Sequence, residues 1–158
     1  MHSFRRVTSD QEGMQLALNE ARRALDEGEV PVGAVVVWEG QVVGRGHNQV
    51  EQLQDATAHA EMIALGAAMN SRGSWRLDAC TLYVTLEPCT MCAGAIVLAR
   101  VPRLVFGAAD PKAGACGSVW DVMKDTRLNH QVDVIPAVCS DEAAMLLTSF
   151  FEKLRRKS

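Results

Sequence analysis

No stretch of this 158-residue chain is apolar for long enough to cross a bilayer, and no internal repeat, low-complexity tract or linker divides it. Cysteine is sparse and odd in number, five in all, which argues against a disulfide scaffold and fits a reducing compartment. Neither sign of charge is in large excess: the formal net charge of −3 neither advertises nor excludes a nucleic-acid partner, because local patches outweigh the total. Arg5 and Arg6 have no apolar stretch after them, so no secretory signal is expected and the cytoplasm is the expected compartment. With 48% hydrophobic and 22% charged residues, residues 1–158 read as one domain able to bury a core.

Against this plain background, His59-Ala60-Glu61 followed by Pro88-Cys89-Thr90-Met91-Cys92 stands out. One imidazole and two thiolates suit Zn²⁺, and three protein ligands leave the fourth tetrahedral position to water. Such a water is acidified toward neutral pH and becomes a usable nucleophile. Glu61 lies two residues from His59, close enough to take that proton and deliver it to a substrate nitrogen. The chemistry that follows is hydrolytic deamination of an amidine-like carbon. The pattern H-x-E…P-C-x-x-C resembles that of the zinc nucleobase deaminases.

Competing readings of the same residues are a structural zinc completed by Cys80, Cys116 or Cys139, and a redox C-x-x-C. A redox motif does not explain the H-x-E partner. Cys80, Cys116 and Cys139 read most simply as small buried apolar residues. Lys153, Arg155, Arg156 and Lys157 form a basic C-terminal run, read as charge placed favourably at a helix end or as a phosphate contact.

Hydrophobic spacing predicts a helix over Ser9 to Gly28, with Met14, Leu18, Ala21 and Leu25 on one stripe. Val32 to Trp38, the two-residue turn Glu39-Gly40 and Gln41 to His47 predict a hairpin. Asn48 to Ala56 reads as a polar connection. A helix capped by Thr57 or Asp55 carries His59 and Glu61 in its first turn and ends near Gly73. Thr81 to Leu86 and Arg103 to Phe106 read as strands, with Cys89 to Arg100 helical between them and Pro88 near its start. Ala109 to Ser118 is a loop, Val132 to Val138 the last strand, and Ser140 to Lys157 the last helix, capped by Ser140. This order suggests a mixed sheet with helices on both faces, and both metal-bearing helices starting at one sheet edge.

The chain resembles the bacterial tRNA adenosine deaminases nearly throughout. The resemblance is carried by Glu29-Val30-Pro31-Val32-Gly33-Ala34, Asn48, Thr57-Ala58-His59-Ala60-Glu61, Thr85-Leu86-Glu87-Pro88-Cys89, Met91-Cys92-Ala93-Gly94-Ala95, Phe106-Gly107-Ala108, Asp110, Lys112, Gly114-Ala115, Gly117-Ser118 and Phe150-Phe151. It implies a cytidine-deaminase-like fold, a three-layer α/β/α sandwich with a five-stranded sheet. It implies Zn²⁺ held by His59, Cys89 and Cys92, with Glu61 as the proton shuttle. The backbone at Ala60 and Leu86 would line the base pocket and Val30 would pack on the ring. Asn48 would bond the base or its sugar, while Glu29, Asp110, Lys112 and Phe151 would meet neighbouring nucleotides of the anticodon stem-loop. A homodimer acting on the wobble adenosine of a tRNA is the implied assembly and reaction.

The chain departs from that family at Gln49-Val50-Glu51-Gln52-Leu53-Gln54, where Arg, Pro and Gly are frequent, and at Ala56, where Pro is common. Read from the residues alone, Val30 is equally a core residue, and Asn48 and Asp110 are equally turn residues. Phe150 and Phe151, adjacent on a helix, cannot both face one core. Trp38, Trp75 and Trp120 read as core or interface residues. The alternative function is deamination of a free base or nucleoside such as guanine or cytosine; an inactive zinc scaffold would have no need of Glu61.

Overall fold

The computed structural model describes residues 6–157, so Arg5 lies outside the described residues. Helix α1 (Asp10–Asp26) starts where Ser9 Oγ accepts from the Glu12 amide and Glu12 accepts from Thr8, a reciprocal cap. Strands β1 (Gly33–Trp38) and β2 (Gln41–His47) form the expected hairpin, with Glu39 and Gly40 both at positive φ in the turn. A short helix α2 (Val50–Leu53) follows, then α3 (Ala60–Arg72), β3 (Cys80–Leu86), α4 (Thr90–Leu98), β4 (Arg103–Ala108), β5 (Asp133–Ile135) and α5 (Ser140–Arg156).

The sheet runs β2-β1-β3-β4-β5. β1 is antiparallel to both neighbours, and β3, β4 and β5 are parallel to one another. Because β2 and β3 both oppose β1, every strand except β1 points its carboxyl end at the same edge. The segments that follow β2 and β3 therefore begin α3 and α4 side by side at that edge. α3 packs on β2 and β1, while α1 and α5 pack together on the other face. Alternation along β1 divides the core: Ala34 and Val36 face the α3 and α4 layer, Val35 and Val37 face Met14 and Leu18 of α1. The protein is thus an α/β/α sandwich around a mixed five-stranded sheet.

Asp10 fastens α1 to the sheet. It receives two charge-assisted bonds from Arg103, at 2.7 and 2.6 Å, and a third from the Tyr83 hydroxyl at 3.0 Å. On the opposite face the fastening is steric. Gly46 of β2 lies so close to α3 that a Cβ there would sit 2.4 Å from the Ala60 carbonyl oxygen and 2.7 Å from the Ala64 nitrogen.

Several expectations are corrected. Asn48 to Ala56 is not wholly irregular, since it contains α2. Neither Thr57 nor Asp55 caps α3: Asp55 Oδ1 instead accepts from the Thr57 amide and hydroxyl, and His59 occupies the N-cap position. Ser140 is the first residue of α5 rather than its cap, which is Cys139 at positive φ, its side chain making no capping bond. β5 is only three residues long, and of the two readings of Trp75 and Trp120, core or interface, their exposure removes the core one.

Gly46→Ala forces backbone against backbone and cannot be relieved by a rotamer change. We expect it to cost at least ~1–3 kcal/mol of stability, the usual range for overpacking, and to displace the residues that begin α3. Thermal melts and a metal titration check both effects.

Candidate active site

Two helix starts build the site. His59 is the N-cap residue of α3 and Cys89 that of α4, each with extended backbone (φ −77° and −76°). Neither side chain caps its own helix, so both are released to point elsewhere. Asn48 does the capping at α3, its Oδ1 accepting from the Ala60 amide at 2.9 Å. Cys92 lies three residues after Cys89, one turn into α4, on the same side of the helix.

These positions bring three donors together. His59 Nδ1 lies 3.6 Å from Cys89 Sγ and 3.5 Å from Cys92 Sγ, and the three ligand atoms all lie within 4.8 Å of one another. A tetrahedral zinc at ordinary Zn–N and Zn–S bond lengths would set nitrogen and sulfur about 3.6 Å apart. Both nitrogen–sulfur separations therefore match those of a bound zinc. No fourth protein ligand joins it among the described residues: Cys80 is buried beneath the other end of β3, and Cys116 turns toward the Pro88 carbonyl.

Electrostatics agree. Hydrogen bonds from Cys92 and then from His59 pull the Cys89 thiol down to about 3. Bonding to Cys89, then burial, pushes Cys92 strongly upward. His59 is raised, first by its bond to Cys89, against burial and with help from Glu61. One thiolate is already formed beside two positive helix ends, and a dication would displace the remaining protons.

Glu61 is 4% exposed in the first turn of α3. Burial pushes its carboxyl up to about 7, opposed by its own backbone amide and by His59. A carboxyl poised near neutrality can both accept and return a proton.

The remaining expected residues are distributed around the same sheet edge, with one exception. Leu86 ends β3 half-buried, Ala60 is fully buried, and Val30 packs half-buried on the core cluster beneath α3. Glu29, expected to meet a nucleotide, is 2% exposed and committed elsewhere: its oxygens accept from the Glu51 and Gln52 amides at 3.0 and 2.7 Å. It pins the start of α2, which itself buries no residue. Asp110 Oδ1 accepts from the Lys112 and Ala113 amides, and Lys112 is exposed. Phe151 is the exception. It lies on α5, on the other sheet face, 44% exposed and edge-on to Phe150.

Sequence reasoning missed Glu87. This buried carboxylate accepts from three backbone amides of the following loop and from the Ser118 hydroxyl. Burial works to raise its carboxyl, yet the hydrogen bonds from Ser118, Asp110 and Cys116 outweigh it and the net shift is downward. The available signal was a lone charged residue in the strand-like run Leu82 to Pro88. A cavity of about 990 Å³ lined by Arg6, Gln15, Arg45 and Glu142 contains none of the residues above, so chemistry rather than concavity marks the site.

In metal-free protein Glu61 carries a raised pKa. Its neutral form is then favoured by folding below about 4.5, and that contribution is lost as pH rises through about 7. Melting wild type and Glu61→Gln across this range checks the sign: the variant should gain on wild type between pH 4.5 and 7 and hold a constant lead above it.

The profile of the MafB19-like deaminases matches residues 8–155. A tRNA-specific adenosine deaminase of Bacillus subtilis is 47% identical over 151 residues, covering 96% of this chain and 94% of that protein. A solved structure from work on A-to-I editing by tRNA:A34 deaminases at the wobble position of transfer RNA superposes with a TM-score of 0.82 at 46% identity, covering 85% of this chain and 98% of the other. A guanine deaminase from Nitrosomonas europaea shares the fold, with a TM-score of 0.81 at 24% identity over 92% of this chain and 86% of that one. With nearly its whole length matched, the chain belongs to the tRNA-specific adenosine deaminase family of MafB19-like deaminases.

Proposed function

We propose that this protein converts the wobble adenosine of a tRNA anticodon loop to inosine by hydrolytic deamination, as one zinc-dependent domain spanning residues 1–158. The observation that carries the chemistry is the His59, Cys89 and Cys92 cluster at 3.5 to 3.6 Å with a buried carboxyl, Glu61, two residues from the imidazole. The substrate rests on the relatives: the near-full-length likeness at 46–47% identity is to tRNA deaminases, whereas the guanine deaminase likeness at 24% extends to the fold alone.

Bound by His59, Cys89 and Cys92, zinc would supply a Lewis-acidic open vertex that acidifies a water. The chain's own residues do the rest. Glu61 takes the proton of the water that attacks C6 and gives it to the ring nitrogen. It then takes the proton of the new C6 hydroxyl and passes it to the departing amine as the carbonyl forms and the C6–N bond breaks, so that adenosine and water become inosine and ammonia. Asn48, its oxygen spent on Ala60, would offer its amide donors to the base or ribose. Ala60 and Leu86 would line the pocket, and Val30 would pack on the ring.

Lys112 and Asp110 would meet the loop outside the target base. Phe151, with Lys153 and Arg155 on the same helix, would contact RNA further out. An anticodon loop presents its bases unpaired, so extruding one costs little. A second copy of the chain would cover Leu98 of α4, 70% exposed, and Trp120, 60% exposed and bonded through its indole nitrogen to Thr90 of the same helix. Among the described residues no helix is long and apolar enough to cross a membrane, which accords with the cytoplasmic location proposed for a tRNA-modifying enzyme.

Inosine at the wobble position of a transcribed tRNA, after treatment with zinc-loaded protein, is the expected product; turnover of free guanine without any of tRNA would reverse the assignment. Glu61→Gln should lower kcat by about 10²–10⁴-fold or more, the range for a positioned acid–base group, with zinc content unchanged. Lys112→Ala should raise KM and reduce the salt slope of binding by about one, as loss of one phosphate contact requires.

A further inference from the structure

The loop after β4 is anchored in the core only at its middle, by Ala115 and Cys116. Ala109, Pro111, Lys112 and Ala113 are exposed, and the segment makes no regular pairing beyond a single bridge between Cys116 and Asp121. One side chain supplies four of the polar ties that hold the rest. Glu87 Oε1 accepts from the Asp110 amide at 3.0 Å and from the Ser118 hydroxyl; Oε2 accepts from the Cys116 and Ser118 amides, both at 3.1 Å. Two residues on, the same turn of chain carries Cys89.

Two further ties flank that cysteine. The Pro88 carbonyl accepts from the Ala115 amide at 2.9 Å, and the Thr90 hydroxyl accepts from the Trp120 indole at 3.1 Å. The chain is also shaped for the carboxylate. A Cβ on Gly114 would sit 2.4 Å from Glu87 Cδ, so the residue there has to be glycine for the clamp to close. Asp110, at the head of the loop, uses its own carboxylate to turn the chain toward Lys112.

We propose that Glu87 is a positioning residue for substrate recognition. It locks the Asp110–Ser118 loop to the metal-bearing turn, so that the nucleotides flanking the target are held at a set distance from the reacting carbon. This rests on the proposed tRNA substrate. Glu87 touches neither substrate nor metal, and it acts through the loop. Replacing it with glutamine keeps the volume but sets an amide donor against backbone donors, so the loop loosens while Cys89 and Cys92 keep their helix.

The test uses zinc-loaded, full-length protein and an anticodon stem-loop bearing the wobble adenosine. Glu87→Gln should retain its zinc and a kcat within about threefold of wild type, while KM rises by about 10- to 100-fold, the scale of losing one buried charge-assisted bond. Amides of residues 110–118 should exchange faster, with those of α4 unchanged. Gly114→Ala, whose Cβ would press on both the Glu87 carboxylate and the Asp110 carbonyl, should give the same split, and Ser118→Ala, which removes one donor to Glu87 and touches nothing else of the clamp, a milder one. If Glu87→Gln does not fold, these two variants decide the matter. A collapse in kcat or loss of zinc with KM unchanged would show that Glu87 serves the metal turn and would overturn the proposal. So would unchanged exchange in the loop. Wild-type protein that leaves the stem-loop untouched would instead refute the substrate, and the exchange measurement would still judge the clamp.

Discussion

The approach of two helix starts to within one ion's width is the constraint on which the rest depends. An imidazole from α3 and two sulfurs from α4 stand at the separations of a tetrahedral zinc, and neither helix supplies a fourth ligand. That geometry follows from topology. β1 runs against both its neighbours, so the chain leaves β2 and β3 at the same edge and begins both helices there. Gly46 then lets α3 settle onto β2 at backbone contact, which sets the depth of His59 and Glu61. Local strand direction, one glycine and two N-cap positions together gather a His-Cys-Cys donor set able to hold a metal, which no single segment contains.

Three buried carboxylates divide the labour around it. Glu61 has too few partners to offset its burial and is raised toward neutrality, the condition for moving protons. Glu87 is surrounded by donors and stays below its usual range, the condition for acting as a fixed anchor. Glu29 holds the first amides of α2. Identical functional groups acquire opposite uses from the number of N–H and O–H donors that face them. The two anchors hold α2 and the Asp110–Ser118 loop, the segments that flank the donor cluster, by charge-assisted bonds.

Much of this was legible in the sequence, where the determinants are local. The hairpin is written in Glu39-Gly40 between apolar strands, the ligand set in two short motifs, and the end of α3 in Gly73, which adopts positive φ as its position demands. What escaped depends on residues far apart in the chain. Asn48, not Asp55 or Thr57, caps α3 because the hairpin end folds back over the helix start, a contact across twelve residues. α2 forms in the Gln49–Gln54 segment because Glu29, more than twenty residues earlier, satisfies its first amides. The same bonds explain why Glu29, expected among the nucleotide contacts, faces inward. Glu87 was hidden in plain view, a polar residue whose partners lie 23 to 31 positions downstream.

The central claim is a metal held by three side chains with its fourth position open. X-ray absorption at the zinc edge of the loaded protein addresses it without reference to any substrate. The account predicts a first shell of two sulfurs at about 2.3 Å, one nitrogen at about 2.0–2.1 Å and one light oxygen scatterer from solvent. A shell of three sulfurs, or four ligands all from the protein, would contradict it.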